Sequence, residues 1–177
     1  PGIEVHVDTS NSRQVVERLN AYDIGLVESP LPRDVPERHR AEPLGRDEVV
    51  LVMPRGHPLA ALQAVPLPML RDQPLIWREP GSGTNEVVEH AFGQAGIAPV
   101  RRISLGGVAA VLEAVRQGLG LGFASHLSLK HGDTTLIARP LEPRLLRPLT
   151  MLLPVHPTAA ARILADELRA GLGPLAA

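Results

Sequence analysis

Pro74-Leu-Ile-Trp-Arg-Glu-Pro-Gly-Ser-Gly-Thr84 is the stretch on which the reading of this chain turns. Pro74–Trp77 is a short apolar run of the kind found in a buried strand. From Asn85 to about Ala95, Val87, Val88, Ala91 and Phe92 fall on one face at helical spacing, and Gly96 ends the pattern. Between strand and helix stand Glu79, Gly81, Ser82, Gly83 and Thr84. The two glycines let the backbone turn and let a ligand come close. The two hydroxyls, the open N–H groups of a helix start and its dipole make a seat for a carboxylate, sulfate-like or phosphate-like group. The same residues also serve as a plain capped helix behind a flexible turn. The segment is not a P-loop, because the Lys-Ser/Thr ending is absent, and it is not a dinucleotide fingerprint.

Outward from this turn, strand and helix signals alternate. Upstream, Ile3, Val5 and Val7 alternate with polar residues and predict a strand. Thr9–Ser12 can cap a helix carrying Val15, Val16 and Leu19, and Ile24–Val27 predicts a second strand. Residues 29–43, rich in proline and charge, predict a loop. Glu48–Met53 predicts a strong strand stopped by Pro54, Gly56 and Pro58, and Leu67–Arg71 a short helix. Downstream, Arg101–Leu105, Thr135–Ile137 and Leu149–Leu153 predict strands, and Gly118–Phe123 a turn and strand. Val108–Gln117 predicts a helix with Val111, Leu112 and Val115 on one side. Ala159–Leu172 predicts a closing helix with Ile163, Leu164 and Leu168 inward. Such alternation predicts an α/β fold. Breaks after Met53 and near Pro148 predict two lobes.

The bulk properties exclude several classes. The chain has 177 residues, 44% of them hydrophobic, which suits one globular domain or two small lobes. With one Trp, one Tyr and two Phe, its core must be aliphatic. A net charge of −1 gives no general attraction to nucleic acid or to an anionic membrane. The absence of cysteine removes disulfides, thiol catalysis and thiolate metal sites, and is compatible with a cytoplasmic protein. No signal peptide and no apolar stretch of transmembrane length is visible.

Other constellations read as follows. Ser10, Asn11 and Ser12 form a second polar cap after a strand, either a helix N-cap or, at a strand's carboxyl end, a ligand contact. Gly106-Gly107 is a tight turn or a third set of helix-start amides. The seven histidines are scattered and show no metal spacing, so no metal or cofactor is expected. Ser125-His126 are adjacent, and adjacent side chains seldom face one another. With no acid–base pair standing out, an enzyme is not expected.

Residues from Pro1-Gly-Ile-Glu-Val through Gly25-Leu-Val-Glu28, Asp47-Glu-Val-Val-Leu-Val-Met-Pro-Arg-Gly-His-Pro-Leu59, Pro74–Thr84 and Ala114–Gly122 resemble the effector domain of LysR-type transcription regulators. The likeness runs along essentially the whole chain. The Arg-Glu-Pro-Gly-Ser-Gly-Thr run further resembles a branch linked to sulfur metabolism and carbon fixation. The resemblance implies a type 2 periplasmic-binding-protein-like fold, with two α/β lobes joined by two crossing strands. It places residues 1–53 plus 149–177 in lobe I and 54–148 in lobe II, with a small anionic effector between them.

Carried over, the effector contacts are Ser10, Asn11, Ser12, Glu79, Gly81, Ser82, Gly83 and Thr84, with Gly107 and Phe123 nearby. The family's first strand and helix are missing, and the family often has Arg where Asn85 stands, so neutral donors are expected to hold the ligand. The resemblance also implies a cytoplasmic homo-oligomer, with helix 85–95 and strand 3–8 at an antiparallel dimer contact. It would reach DNA only through an upstream winged helix-turn-helix absent here, and the effector would change the oligomer's geometry on DNA. A transport-associated solute-binding protein shares the fold and is the alternative.

Overall fold

The computed structural model describes residues 2–29, 35–129 and 134–172. In chain order the elements are α1 (Ser12–Glu17), β1 (Gly25–Val27), β2 (His39–Pro54), β3 (Val65–Pro66), β4 (Leu75–Arg78), α2 (Gly83–Gln94), β5 (Arg101–Leu105), α3 (Val108–Arg116), β6 (Leu121–Ser125), β7 (Leu136–Arg139), β8 (Leu141–Glu142), β9 (Leu145–Pro154) and α4 (Ala159–Leu172). The chain divides into two compact units, residues 1–46 with 148–177, and residues 47–147. Strands β2 and β9 each run from one unit into the other.

The second unit is built on strands buried on both faces. β6 and β5 flank β4 in parallel, while β2 pairs antiparallel with β6 and with β7. Side chains alternate across the sheet, as strand geometry requires. Val49, Leu51 and Met53 of β2, Leu75 and Trp77 of β4, and Leu121 and Phe123 of β6 join one core with Val88 and Phe92 of α2. Val50, Val52, Ile76 and Ala124 join the opposite core with Val111, Ala114 and Val115 of α3. The sheet is thus sandwiched between α2 and α3. Burial of each large aliphatic side chain contributes about 1.5–3 kcal/mol. The few aromatics gather at one point: Trp77, Phe92 and Phe123 have centroids 5.8–6.4 Å apart. Gly122 lets α3 lie close on β6, since a Cβ there would stand 2.7 and 2.9 Å from the Val111 and Val115 side chains.

In the first unit β1 pairs antiparallel with β9, Gly25 opposite Leu152. Leu152 packs with Val16, Leu19 and Val27 near α1, while Met151 and Leu153 pack with Leu44 and Ala165 near α4.

Four expectations are corrected. Residues 3–7 form no strand: Ile3, Val5 and Val7 are 41%, 52% and 79% exposed, and among the described residues no strand offers them a ladder. β2 begins at His39, inside the stretch expected as a loop, of which residues 30–34 lie outside the described residues. Residues 47–53, assigned to lobe I from sequence, fall within the second unit, because Val49, Leu51 and Met53 pack against Leu75, Trp77 and Phe123. On α4 the inward stripe is Ala161, Ala165 and Leu168, and Ile163, two residues from that stripe, is 53% exposed. Lys130 and His131 also lie outside the described residues.

Candidate functional site

The turn between β4 and α2 is stitched on all sides by its own residues. Ser82 is the N-cap of α2, and Gly81 before it has φ +86°, a conformation that favours glycine. The Asn85 side chain reaches back to the strand end. Its carbonyl accepts from the Arg78 N–H at 3.1 Å, and its NH2 donates to the Arg78 carbonyl at 2.5 Å and, more weakly, to that of Glu79 at 3.4 Å. An amide can complete a strand-like pair in this way, whereas an arginine, having no acceptor, cannot. Ser104 Oγ also donates to the Arg78 carbonyl, at 2.9 Å, and the Glu79 N–H donates to the Leu105 carbonyl at 3.1 Å.

Glu79 is fully engaged. Its carboxylate receives a fork from Arg78, Nε to Oε2 at 2.8 Å and Nη2 to Oε1 at 2.9 Å, and a third bond from the Gly107 N–H at 3.2 Å. The Arg78 fork, opposed by partial burial and aided by backbone N–H groups, lowers its pKa to about 2. The N-cap amide of α3 is therefore already bonded to a carboxylate of the chain itself.

Thr84, in the first turn of α2, is 3% exposed. Its Oγ1 accepts from Arg147 Nη1 at 2.9 Å. Arg147, 2% exposed, also donates to Asp47, Nε to Oδ2 at 2.8 Å and Nη2 to Oδ2 at 2.7 Å. Ser125 Oγ donates to the other Asp47 oxygen at 2.9 Å. Ser125 also accepts from the Leu127 N–H, so it serves as a turn cap and a buried donor, not as the partner of His126. Ser82 is 2% exposed, and its hydroxyl makes no capping bond to α2.

The sequence-predicted residues thus separate. Glu79, Gly81, Ser82, Gly83 and Thr84 come together at the start of α2, with Gly107 tied to them through Glu79. Phe123 is 2% exposed and its ring is packed between Trp77 and Phe92, so it supports the core rather than presenting a face to a ligand. In the first unit, Asn11 is the N-cap of the six-residue α1, accepting from the Gln14 N–H at 3.0 Å. Ser12 Oγ accepts from the Glu28 N–H at 3.4 Å, and Ser10 is exposed. Elsewhere in that unit a depression of about 310 Å³ is lined by Asn20, Tyr22, Arg38, His39 and His156, none of them predicted as site residues. Burial, with Arg38 alongside, lowers the His39 pKa.

Sequence reasoning missed Asp47, Arg147 and Ser125. A signal for each was present. Asp47 is in phase with inward Val49, Leu51 and Met53; Arg147 with inward Leu145, Leu149 and Met151; Ser125 with Leu121 and Phe123. A charge in phase with a core face must find a partner there. Among the described residues no group of three or more His, Asp or Glu side chains forms a metal site, and no helix is long and apolar enough to cross a membrane.

This two-unit α/β fold, with α2 opening on a glycine-serine turn, is that of a ligand-binding regulatory domain, and residues 1–173 match the family model described as LysR substrate binding domain. The chain belongs to that family. It is 31% identical over 132 residues to the HTH-type transcriptional regulator CysL of Bacillus subtilis, covering 73% of this chain and 43% of CysL. It is 34% identical over 126 residues to the RuBisCO operon transcriptional regulator of Allochromatium vinosum, covering 70% and 41%. The chain therefore spans less than half the length of these relatives. A solved structure, the Synechocystis PCC6803 CcmR regulatory domain in complex with 2-PG, superposes with a TM-score of 0.88 at 26% identity, covering 100% of this chain and 87% of that one. The fold is type 2 periplasmic-binding-protein-like.

Proposed function

We propose that this chain is the effector-sensing part of a LysR-type transcription regulator, and that its effector is a small molecule bearing an oxyanion held at the start of α2. The observation that carries this reading is Ser82, a residue 2% exposed whose hydroxyl makes no capping bond to its helix, at the N-cap of the 12-residue α2. Arg78 pairs with Glu79 and Asp47 with Arg147, while Glu86 in the first turn of α2 is exposed. What the turn offers a guest is then the Ser82 and Thr84 hydroxyls, the first-turn amides and the positive end of the α2 dipole. Gly81, at φ +86°, makes the turn into α2. Glu79 and Gly107 shape the turn, and Asn85 closes it. Ser10, Asn11 and Ser12 are the candidate contacts of the first unit.

The complex of the CcmR regulatory domain with 2-PG supports a small effector as the ligand class. In the whole protein, which we read as cytoplasmic and oligomeric, the effector would favour one conformation of the assembly on DNA, reached through a DNA-binding part outside this chain. The regulators among the relatives favour this over a transport-associated binding protein and over an enzyme. Calorimetric titration with 2-PG, inorganic phosphate and inorganic sulfate tests the site. Saturable binding of at least one probe, weakened roughly three- to tenfold by Ser82→Ala and by Thr84→Ala, is expected. Silence to all three, or binding untouched by both substitutions, overturns it.

A further inference from the structure

We infer that Arg147 is a positioning residue that makes Thr84 a hydrogen-bond donor and so sets the class of group the site accepts. The inference rests on the effector reading above and extends it to a residue that never touches the ligand.

A threonine hydroxyl can donate one hydrogen bond and accept others. At Thr84 the accepting side faces Arg147, whose Nη1 lies 2.9 Å from Oγ1. The guanidinium is not free to swing away. Asp47 holds it through Nε at 2.8 Å and Nη2 at 2.7 Å, and Ser125 Oγ, 2.9 Å from the other Asp47 oxygen, fixes the carboxylate in turn. All four side chains are 4% exposed or less, so each bond acts in a medium where it is strong and where rearrangement is costly. With a cation held at its oxygen, Thr84 is left with its proton to donate. A carboxylate, phosphate or sulfate oxygen can take that proton. An ammonium or amide N–H brought to the same oxygen meets a lone pair already engaged and a guanidinium behind it. Arginine suits this task because its planar fork binds Asp47 and Thr84 at once, which a lysine ammonium, a single point charge on a flexible stem, does not reproduce.

Arg147→Lys keeps a positive charge beside Asp47 and removes the fork. The full 177-residue chain and its variants are titrated with 2-PG, inorganic phosphate and inorganic sulfate, and urea unfolding is run in parallel. Arg147→Lys is expected to weaken binding of the best probe roughly three- to tenfold, and Thr84→Val to do the same. The double variant is expected to be no weaker than Thr84→Val alone, because the arginine reaches the ligand through that hydroxyl. Arg144→Lys, altered in an exposed pair with Glu48, is expected to bind as the parent does. Losses that multiply in the double variant, or parental affinity in Arg147→Lys, overturn the inference while leaving the α2 site standing. If Arg147→Lys unfolds, Ser125→Ala, which removes both the hydroxyl bond to Asp47 and the cap on the Leu127 N–H, replaces it with the same coupling to Thr84→Val expected. A parent chain silent to all three probes overturns the inference together with the reading on which it rests.

Discussion

Glu79 and Asn85 show how much a single side chain settles here. With the Glu79 pKa lowered from 4.5 to about 2, the folded chain binds fewer protons than the unfolded one in that interval. The stability this carboxylate supplies is therefore fully present above about pH 4.5 and is lost as the pH falls toward 2. Urea unfolding between these values should show the parent losing stability more steeply than Glu79→Gln. At neutral pH Glu79→Gln should already be weaker by about 1 kcal/mol, since the Arg78 fork loses its charged partner. Asn85 stands where the resemblance implied an arginine. Asn85→Arg should cost about 1–2 kcal/mol in thermal or urea unfolding, because the Arg78 N–H and carbonyl both lose a partner. An Asn85→Arg variant as stable as its parent would show that the amide clasp contributes nothing.

At the scale of elements, sequence periodicity performed best where a strand or helix is buried against something else in the chain. β2, β4 and β6 alternate between two cores, and α2, α3 and α4 all lie within a residue or two of where their apolar spacing puts them. It failed at residues 3–7, where alternation was present and a pairing strand was not. It was also silent on the packing demand at Gly122, which is invisible until α3 is seen lying on β6. Gly122→Ala should push that helix off the sheet and destabilise the second unit by about 1–3 kcal/mol, read as a lower urea midpoint. Gly56→Ala, whose added methyl would meet nothing, is the matching control.

For the molecule as a whole, the class of protein was legible from ordered motifs, and the α2 turn was legible as strand-glycine-hydroxyl-helix. What holds that turn was not, because its partners lie far away in sequence: Arg147 is 63 residues from Thr84 and 100 from Asp47. These two charges stand at the two ends of the second unit, residues 47 and 147. Removing one should be worse than removing both. Asp47→Asn should cost about 3–5 kcal/mol, as a buried guanidinium loses its counter-charge. Asp47→Leu combined with Arg147→Met should recover a substantial part of that loss in the same unfolding assay, and a double variant weaker than Asp47→Asn would refute this account.

The placing of Asp47 two residues before Val49, and of Arg147 two before Leu149, has a consequence for how such a chain can change its length. Each strand behaves as a reading frame of period two. Loss of one residue between positions 47 and 53 would carry Glu48 toward the core and turn Asp47 out to water, orphaning Arg147, whereas loss of two keeps every side chain on its own face. Gaps in this family's β2 should therefore come in even numbers, and odd ones only with a bulge that restores the parity.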